Sequence, residues 1–161
     1  MKNDMVLFLY DLYADRIYKL AYSFLGSGAD AEDIVQNVFI KLLKQNVHIT
    51  EGKEGSYLLR MAANACKDHL RSLRSHGVVP FDDLLEKSAG SAFSDEEKDL
   101  IRAVEKLPYK QRAVIHLYYY EGYSVKEISE ILGISVSGVT MRLTRARNQL
   151  KDTISKEVFQ S

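Results

Sequence analysis

Three arginines near the C-terminus are spaced for chemistry. Arg142, Arg145 and Arg147 form an Arg-x-x-Arg-x-Arg run. The guanidinium fork is the side chain best matched to phosphate oxygens and to the major-groove edge of guanine. The run overlaps Ser124–Leu143, SVKEISEILGISVSGVTMRL. Ser124 and Glu127 have the spacing of a capping box, which predicts a helix start. Val125, Ile128 and Leu132 recur at helical spacing, and Gly133 supplies a left-handed stop. Ser135 can cap a second helix, on which Val139, Leu143, Ala146 and Leu150 make an apolar stripe. Arg142, Arg145 and Gln149 fall on a different face. Two short helices about a tight turn, the second rich in arginine, make the pattern of a helix-turn-helix whose second helix enters the DNA major groove. A Ser-capped amphipathic helix with a few arginines is more often an ordinary surface helix, and it is the combination of capping box, Gly turn, Ser cap and arginine run that favours the helix-turn-helix.

A second cationic set lies upstream. Arg60, Asn64, Lys67, Arg71 and Arg74 recur along one face of a helix expected from Ser56 to about Ser75. Leu58, Ala62, Ala65, Cys66, His69 and Leu73 form its expected buried stripe. Four cations and one amide beside a polar loop, roughly 45–55, suit a backbone-tracking surface that holds an unstacked base. An ordinary solvated face is the simpler reading of such a stripe. Asp30, Glu32 and Asp33 are read as carboxylates opposing a helix dipole rather than as an acid–base pair. Gly26-Ser27-Gly28 lacks the Gly-Lys-Ser/Thr of a phosphate loop. Cys66 and His69 are one turn apart, but two ligands do not make a zinc site. No enzyme activity, cofactor or metal is expected.

The elements that must position these residues are helical. The chain has 161 residues, 46% hydrophobic and 27% charged, with only two prolines. Apolar residues recur near 3.6 throughout, which predicts an all-α protein of two small domains joined by a flexible linker. The first helix is expected over Val6–Leu25, with Leu9, Tyr13, Ile17, Leu20 and Phe24 on one face. The second is expected over Asp30–Lys44, with Ile34, Val35, Val38, Phe39 and Leu42 inward. Residues 77–93 read as the linker. Ser94 and Glu97 form another capping box, and Pro108 is expected to start a further helix in its first turn. Net charge is zero, yet unevenly spread. Residues 1–76 carry 10 basic against 9 acidic groups, 77–98 carry 2 against 6, and 99–161 carry 10 against 7. So mild a basicity implies weak DNA binding by the chain alone. A single cysteine, no apolar run of membrane-spanning length and no cationic leader fit a cytoplasmic protein without membrane insertion.

With these elements placed, nearly the whole chain resembles an extracytoplasmic function (ECF, group 4) σ factor of the bacterial σ70 family. DAEDIVQNVFIKLLK, Asp30–Lys44, is similar to region 2.2. SYLLRMAANACKDHLRS, Ser56–Ser72, is similar to regions 2.3–2.4. Leu107–Leu150 is similar to region 4. The resemblance implies region 2 over 1–76 and region 4 over 94–161. It implies a transcription initiation factor that binds core RNA polymerase and directs it to −35 and −10 promoter elements. Asp30, Asp33, Gln36, Asn37, Phe39 and Ile40 would then bind the β′ clamp helices, with the β flap a further contact. Ile49, Arg60, Asn64, Lys67 and Arg71 would handle the −10 element. Ser137, Thr140, Met141, Arg142, Arg145 and Arg147 would handle the −35 element. The acidic linker residues Asp82, Asp83 and Glu86 would mimic nucleic acid near the RNA exit path. An anti-σ factor is the implied inhibitor, and the chain would be monomeric or 1:1 with a partner. The sequence departs from the family where Thr140 and Met141 replace a common Lys-Ser pair, and where Tyr57 replaces a common tryptophan. A dimeric one-component regulator or a polymerase-binding adaptor would share some features. The first would need a dimerisation element and ligand pocket, and the sequence shows neither.

Overall fold

Apolar residues three and four apart, uninterrupted by glycine or proline, dictate a long first helix. The computed structural model describes residues 2–75 and 95–160, with side chains for 2–75 and 98–154. In it α1 spans Lys2–Leu25 and buries Val6, Leu9, Ile17, Leu20, Ala21 and Phe24. It begins earlier than its apolar stripe, since Lys2, Asn3 and Asp4 form a polar first turn. Ser27 then caps α2, Gly28–Lys44, its hydroxyl accepting from the Asp30 N–H at 3.3 Å. α2 buries Ala31, Ile34, Val35, Val38, Phe39 and Leu42. α3 spans Glu54–Ser75 and starts before Ser56, whose hydroxyl donates to the Lys53 carbonyl instead of capping.

The buried face of α3 differs from the expected one. Leu58, Leu59, Ala62, Ala63, Cys66 and Leu70 are buried, whereas Ala65, His69 and Leu73 are only half-buried. At 100° per residue the stripe is turned by roughly 50°. The cause is tertiary, because a helix from the C-terminal half covers that side.

The C-terminal half comprises α4 (Asp95–Glu105), α5 (Tyr109–Ile115), a π-helical turn (His116–Tyr120), α6 (Val125–Leu132) and α7 (Val136–Gln160). Pro108 sits at the cap of α5, one residue before its expected place. Leu107, Val114 and Leu117 are fully buried, and the chain leaves the π turn at Gly122. Among the described residues there is no strand, so the fold is all-α. The expected linker, its acidic residues and the Ser94–Glu97 capping box lie outside the described residues and side chains.

The two halves share one buried cluster, with α1 packed on α5 and α3 packed on α6. Arg112 of α5, 4% exposed, crosses that boundary. Its Nε donates to the Ser23 carbonyl at 2.7 Å, and its two terminal nitrogens donate to Leu107 (2.6 Å) and Phe24 (3.2 Å) carbonyls. Ser23 and Phe24 are among the last residues of α1, whose carbonyls have no partner within their own helix. Arg112→Met keeps the length and removes the donors. It should destabilise the fold by about 2–4 kcal/mol, because the carbonyls stay buried. Urea denaturation checks this, and an unchanged midpoint would contradict it.

His116, in the π turn, has a side chain 14% exposed with Nε2 4.0 Å from Glu121 Oε1. Burial lowers its pKa to about 4. The unfolded chain binds a proton near pH 6.5 that the folded chain refuses until about pH 4. This group's stabilisation is therefore present above pH 6.5 and is lost as pH falls toward 4, by about 2–3 kcal/mol. Urea midpoints between pH 7 and pH 4.5 should fall less steeply for His116→Gln than for the unmodified chain.

Candidate nucleic-acid interface

The helix-turn-helix is built from local hydrogen bonds. The Ser124 hydroxyl accepts from the Glu127 N–H at 3.1 Å, and the Glu127 carboxylate accepts from the Ser124 N–H at 3.0 Å. The Ser124 amide, by donating to that carboxylate, holds the Glu127 pKa below its usual range. Ile128, Ile131 and Leu132 anchor α6 in the core. Gly133 ends it at φ 67°, a backbone conformation open to glycine at little cost. The Ser135 hydroxyl accepts from the Gly138 N–H at 3.0 Å and opens α7. Val139, Leu143 and Ala146 are buried, and Leu150 packs at the edge of the core.

This frame displays Ser137, Thr140, Met141 and Arg145 to solvent and leaves Arg142 half-buried. Burial pulls the Arg142 guanidinium pKa down, against the opposing influence of Tyr109. Thr140 donates its hydroxyl to the Val136 carbonyl of its own helix, at 3.1 Å. Arg147 does not join Arg142. Five residues on, it projects about 140° around the helix. There its Nε donates to the Tyr119 hydroxyl at 2.7 Å. Its guanidinium lies over the Tyr118 and Tyr119 rings, 5.5 and 5.6 Å from their centroids.

On α3, Arg60, Asn64 and Arg71 are exposed along one side, while Lys67 is half-buried. The Lys67 ammonium donates to the Leu132 carbonyl, the end of α6. Burial lowers the Lys67 pKa, and the nearby charges of Arg142, Arg71 and Arg60 add to the effect. Ile49 packs against the core from the loop before α3. That loop edges a cavity of about 520 Å³. His48, Thr50, Lys53, Tyr57 and Arg60 line it from one half, and Glu127, Glu130 and Ile131 from the other.

On α2, Asp33, Gln36, Asn37 and Ile40 are exposed. Asp33, Asn37 and Ile40 border a groove of about 650 Å³ between α2 and α3, closed on its far side by Met61, Ala65, Asp68 and His69. Asp30 is half-buried, 3.6 Å from the His69 ring nitrogen. Phe39 does not belong with the surface residues. It is 5% exposed and meets Tyr10 edge-on at 4.9 Å, so it is core, as the inward position given by its spacing implies.

Sequence reasoning missed the residues between the halves. The Arg16 Nε donates to Glu121 Oε2 at 2.9 Å, and a terminal nitrogen donates to the Tyr123 hydroxyl at 2.9 Å. Lys19 donates to the Tyr120 hydroxyl at 2.6 Å. The run Tyr118-Tyr119-Tyr120 was the visible signal, although it does not say which cations it would meet.

Comparison with known proteins agrees with this layout. The family model for σ70 region 2 matches residues 9–76 and that for σ70 region 4 matches residues 97–150. The ECF RNA polymerase sigma factor SigW of Bacillus subtilis is 30% identical over 164 residues, covering 88% of this chain and 84% of its own. SigZ of the same organism is 34% identical over 132 residues, covering 76% and 72%. SigE of Mycolicibacterium smegmatis is 32% identical over 155 residues, which span 89% of this chain and 59% of that relative. A sigma factor RpoE solved in complex with the anti-sigma factor NepR from Bartonella quintana superimposes with a TM-score of 0.71. It is 24% identical, covers 91% of this chain and 94% of its own, and speaks for the fold. With regions 2 and 4 matched in order, each on its own helical half, the chain belongs to the ECF sigma factors of the σ70 family, transcription initiation factors.

Proposed function

We propose that this chain carries core RNA polymerase to promoters with three separate faces. The exposed edge of α2, through Asp33, Gln36, Asn37 and Ile40, binds the β′ clamp helices. Asp30 stands in the first turn of the same helix, 3.6 Å from the His69 ring nitrogen. The loop before α3, with Arg60, Asn64, Lys67 and Arg71, captures −10 bases. The start of α7, with Ser137, Thr140, Met141 and Arg142, reads −35 base edges, while Arg145 and Arg147 hold phosphates. The observation that carries this reading is that each half displays its own cationic or amide face on a rigid helix. The matched families are the two σ70 regions. The chain acts without catalysis, in the cytoplasm, as a monomer or in a 1:1 complex. Among the described residues no helix is long and apolar enough to cross a membrane. Control by an anti-σ factor is supported by the structural neighbour, which was solved with one.

Run-off transcription with reconstituted holoenzyme on randomised −35/−10 DNA tests the whole reading. Promoter-specific transcripts are expected, and their absence with assembled holoenzyme would refute it. Asp33→Ala with Gln36→Ala should weaken competition for core polymerase about tenfold or more while helicity stays constant. Normal competition would remove these residues from that face.

The arginines divide by position. Arg142→Ala should cost about 1–3 kcal/mol at one −35 base and relax specificity there. Arg147→Ala should weaken all sequences alike and reduce the salt dependence. Binding to a panel of single-base −35 variants at two salt concentrations separates the two. An even loss across the panel for Arg142→Ala would make it a phosphate contact.

A further inference from the structure

The outward face at the start of α7 is more apolar than its arginines suggest. Val139, Leu143 and Ala146 are buried, and Leu150 packs at the edge of the core. At about 100° per residue, Met141 stands roughly 170° from the middle of that stripe, on the crest of the helix. It is 53% exposed. Ser137 and Thr144 lie about 40° and 60° to one side of it, and Arg145 about 40° to the other. All three are exposed. Arg142 and Arg147 lie on opposite flanks, each about 70° from the stripe. The middle of the face therefore belongs to a thioether, not to a guanidinium.

The hydroxyls around Met141 are committed within the protein. Thr140 donates to the Val136 carbonyl at 3.1 Å, and Thr144 donates to the Thr140 carbonyl at 2.9 Å. With its hydrogen given to the helix, each threonine can offer a ligand a methyl group but no donor. The Ser137 hydroxyl shares a hydrogen bond with that of Ser135 at 3.2 Å. Met141 adds a polarizable apolar group with no hydrogen to give. An exposed methionine is ordinary on a protein surface. What sets this one apart is its place, on the crest of the helix that enters the groove, with Thr144 beside it.

The four bases ask different things of such a face. In the major groove guanine presents two acceptors, adenine an acceptor and a donor, cytosine a donor, and thymine an acceptor beside its C5 methyl. A guanine under Met141 would lose water from two acceptors and find no donor there. A cytosine would lose it from its amino group. Thymine alone sets a methyl against the thioether. We propose that Met141, with the methyl of Thr144 beside it, reads a thymine methyl in the −35 element, on either strand. This rests on the assignment of α7 to that element given above. Arg142, about 100° round the helix from Met141, keeps the neighbouring base edge. Met141 accordingly decides which base is accepted at its own step and contributes nothing to the salt dependence, which belongs to phosphate contacts.

Holoenzyme reconstituted from the full chain and core polymerase first selects its −35 element from randomised DNA. Each thymine of that element, on both strands, is then replaced singly by deoxyuridine, which removes the methyl and keeps the pairing edge and O4. Promoter binding should weaken about three- to fivefold at one of these positions, as the loss of one buried methyl implies. Met141→Ala should bring thymine and uracil there to equal binding. Met141→Leu, apolar and similar in volume, should keep them apart. Thymine and uracil are compared within each variant, so a general loss of affinity cancels. If every thymine tolerates uracil while transcription stays promoter-specific, or if the difference survives Met141→Ala, the inference is wrong and the σ assignment stands. A selected element without any A·T pair would overturn it in the same way. Failure of the unmodified holoenzyme to transcribe from any selected promoter would instead strike the σ assignment, and this inference with it.

Discussion

A buried cation is tolerated only where acceptors meet it, and the joint between the two halves depends on that constraint. Arg112 would be costly inside the core without the three carbonyls that receive it. Two of these come from the end of α1, where no further turn of helix exists to use them. Lys67 repeats the device in the opposite direction, with a cation from the first half closing the end of α6. Arg16 repeats it with a carboxylate as the acceptor. Each contact satisfies a polar group that would otherwise be orphaned by the packing of α1 on α5 and α3 on α6. Polar and apolar interactions therefore favour the same closed geometry.

For several cations, the place in the packing and the spacing along the helix point in different directions. Lys67 fits a nucleic-acid face by its spacing on α3, yet in the closed chain it serves as a helix cap. Arg142 fits a base-reading position, yet it is half-buried. Arg147 is held by two tyrosines on the opposite flank of α7. One set of cations thus holds the two halves of the protein together through Lys67 and is the set whose spacing suits nucleic acid. The near-neutral charge of the whole chain gives it little non-specific attraction to phosphate.

Much of the fold was legible from periodicity and punctuation. The capping box at Ser124–Glu127, the left-handed Gly133 and the Ser135 cap all fall where the spacing places them, because each depends on residues within four positions of itself. The stripes of α1, α2 and α7 also follow the period of their own apolar residues. The stripe of α3 did not, because α6 of the other half packs on it as well as α1 and α2 of its own. Phe39 shows the same limit from the other side. Its family position suggested a surface role, and its spacing suggested the core where Tyr10 meets it.

The sequence by itself determined the helices, the turn between α6 and α7, and the residue types able to meet phosphate and base edges. These are short-range matters of dihedral preference, capping and amphipathic period. Only the tertiary structure decided that Arg16 meets Glu121 across 105 positions, that Lys67 reaches the end of α6, and that Arg147 lies over Tyr118 and Tyr119. A cation's partner is fixed by which helix ends the packing of apolar faces brings within reach. Nothing in the local spacing of a charged residue records that choice.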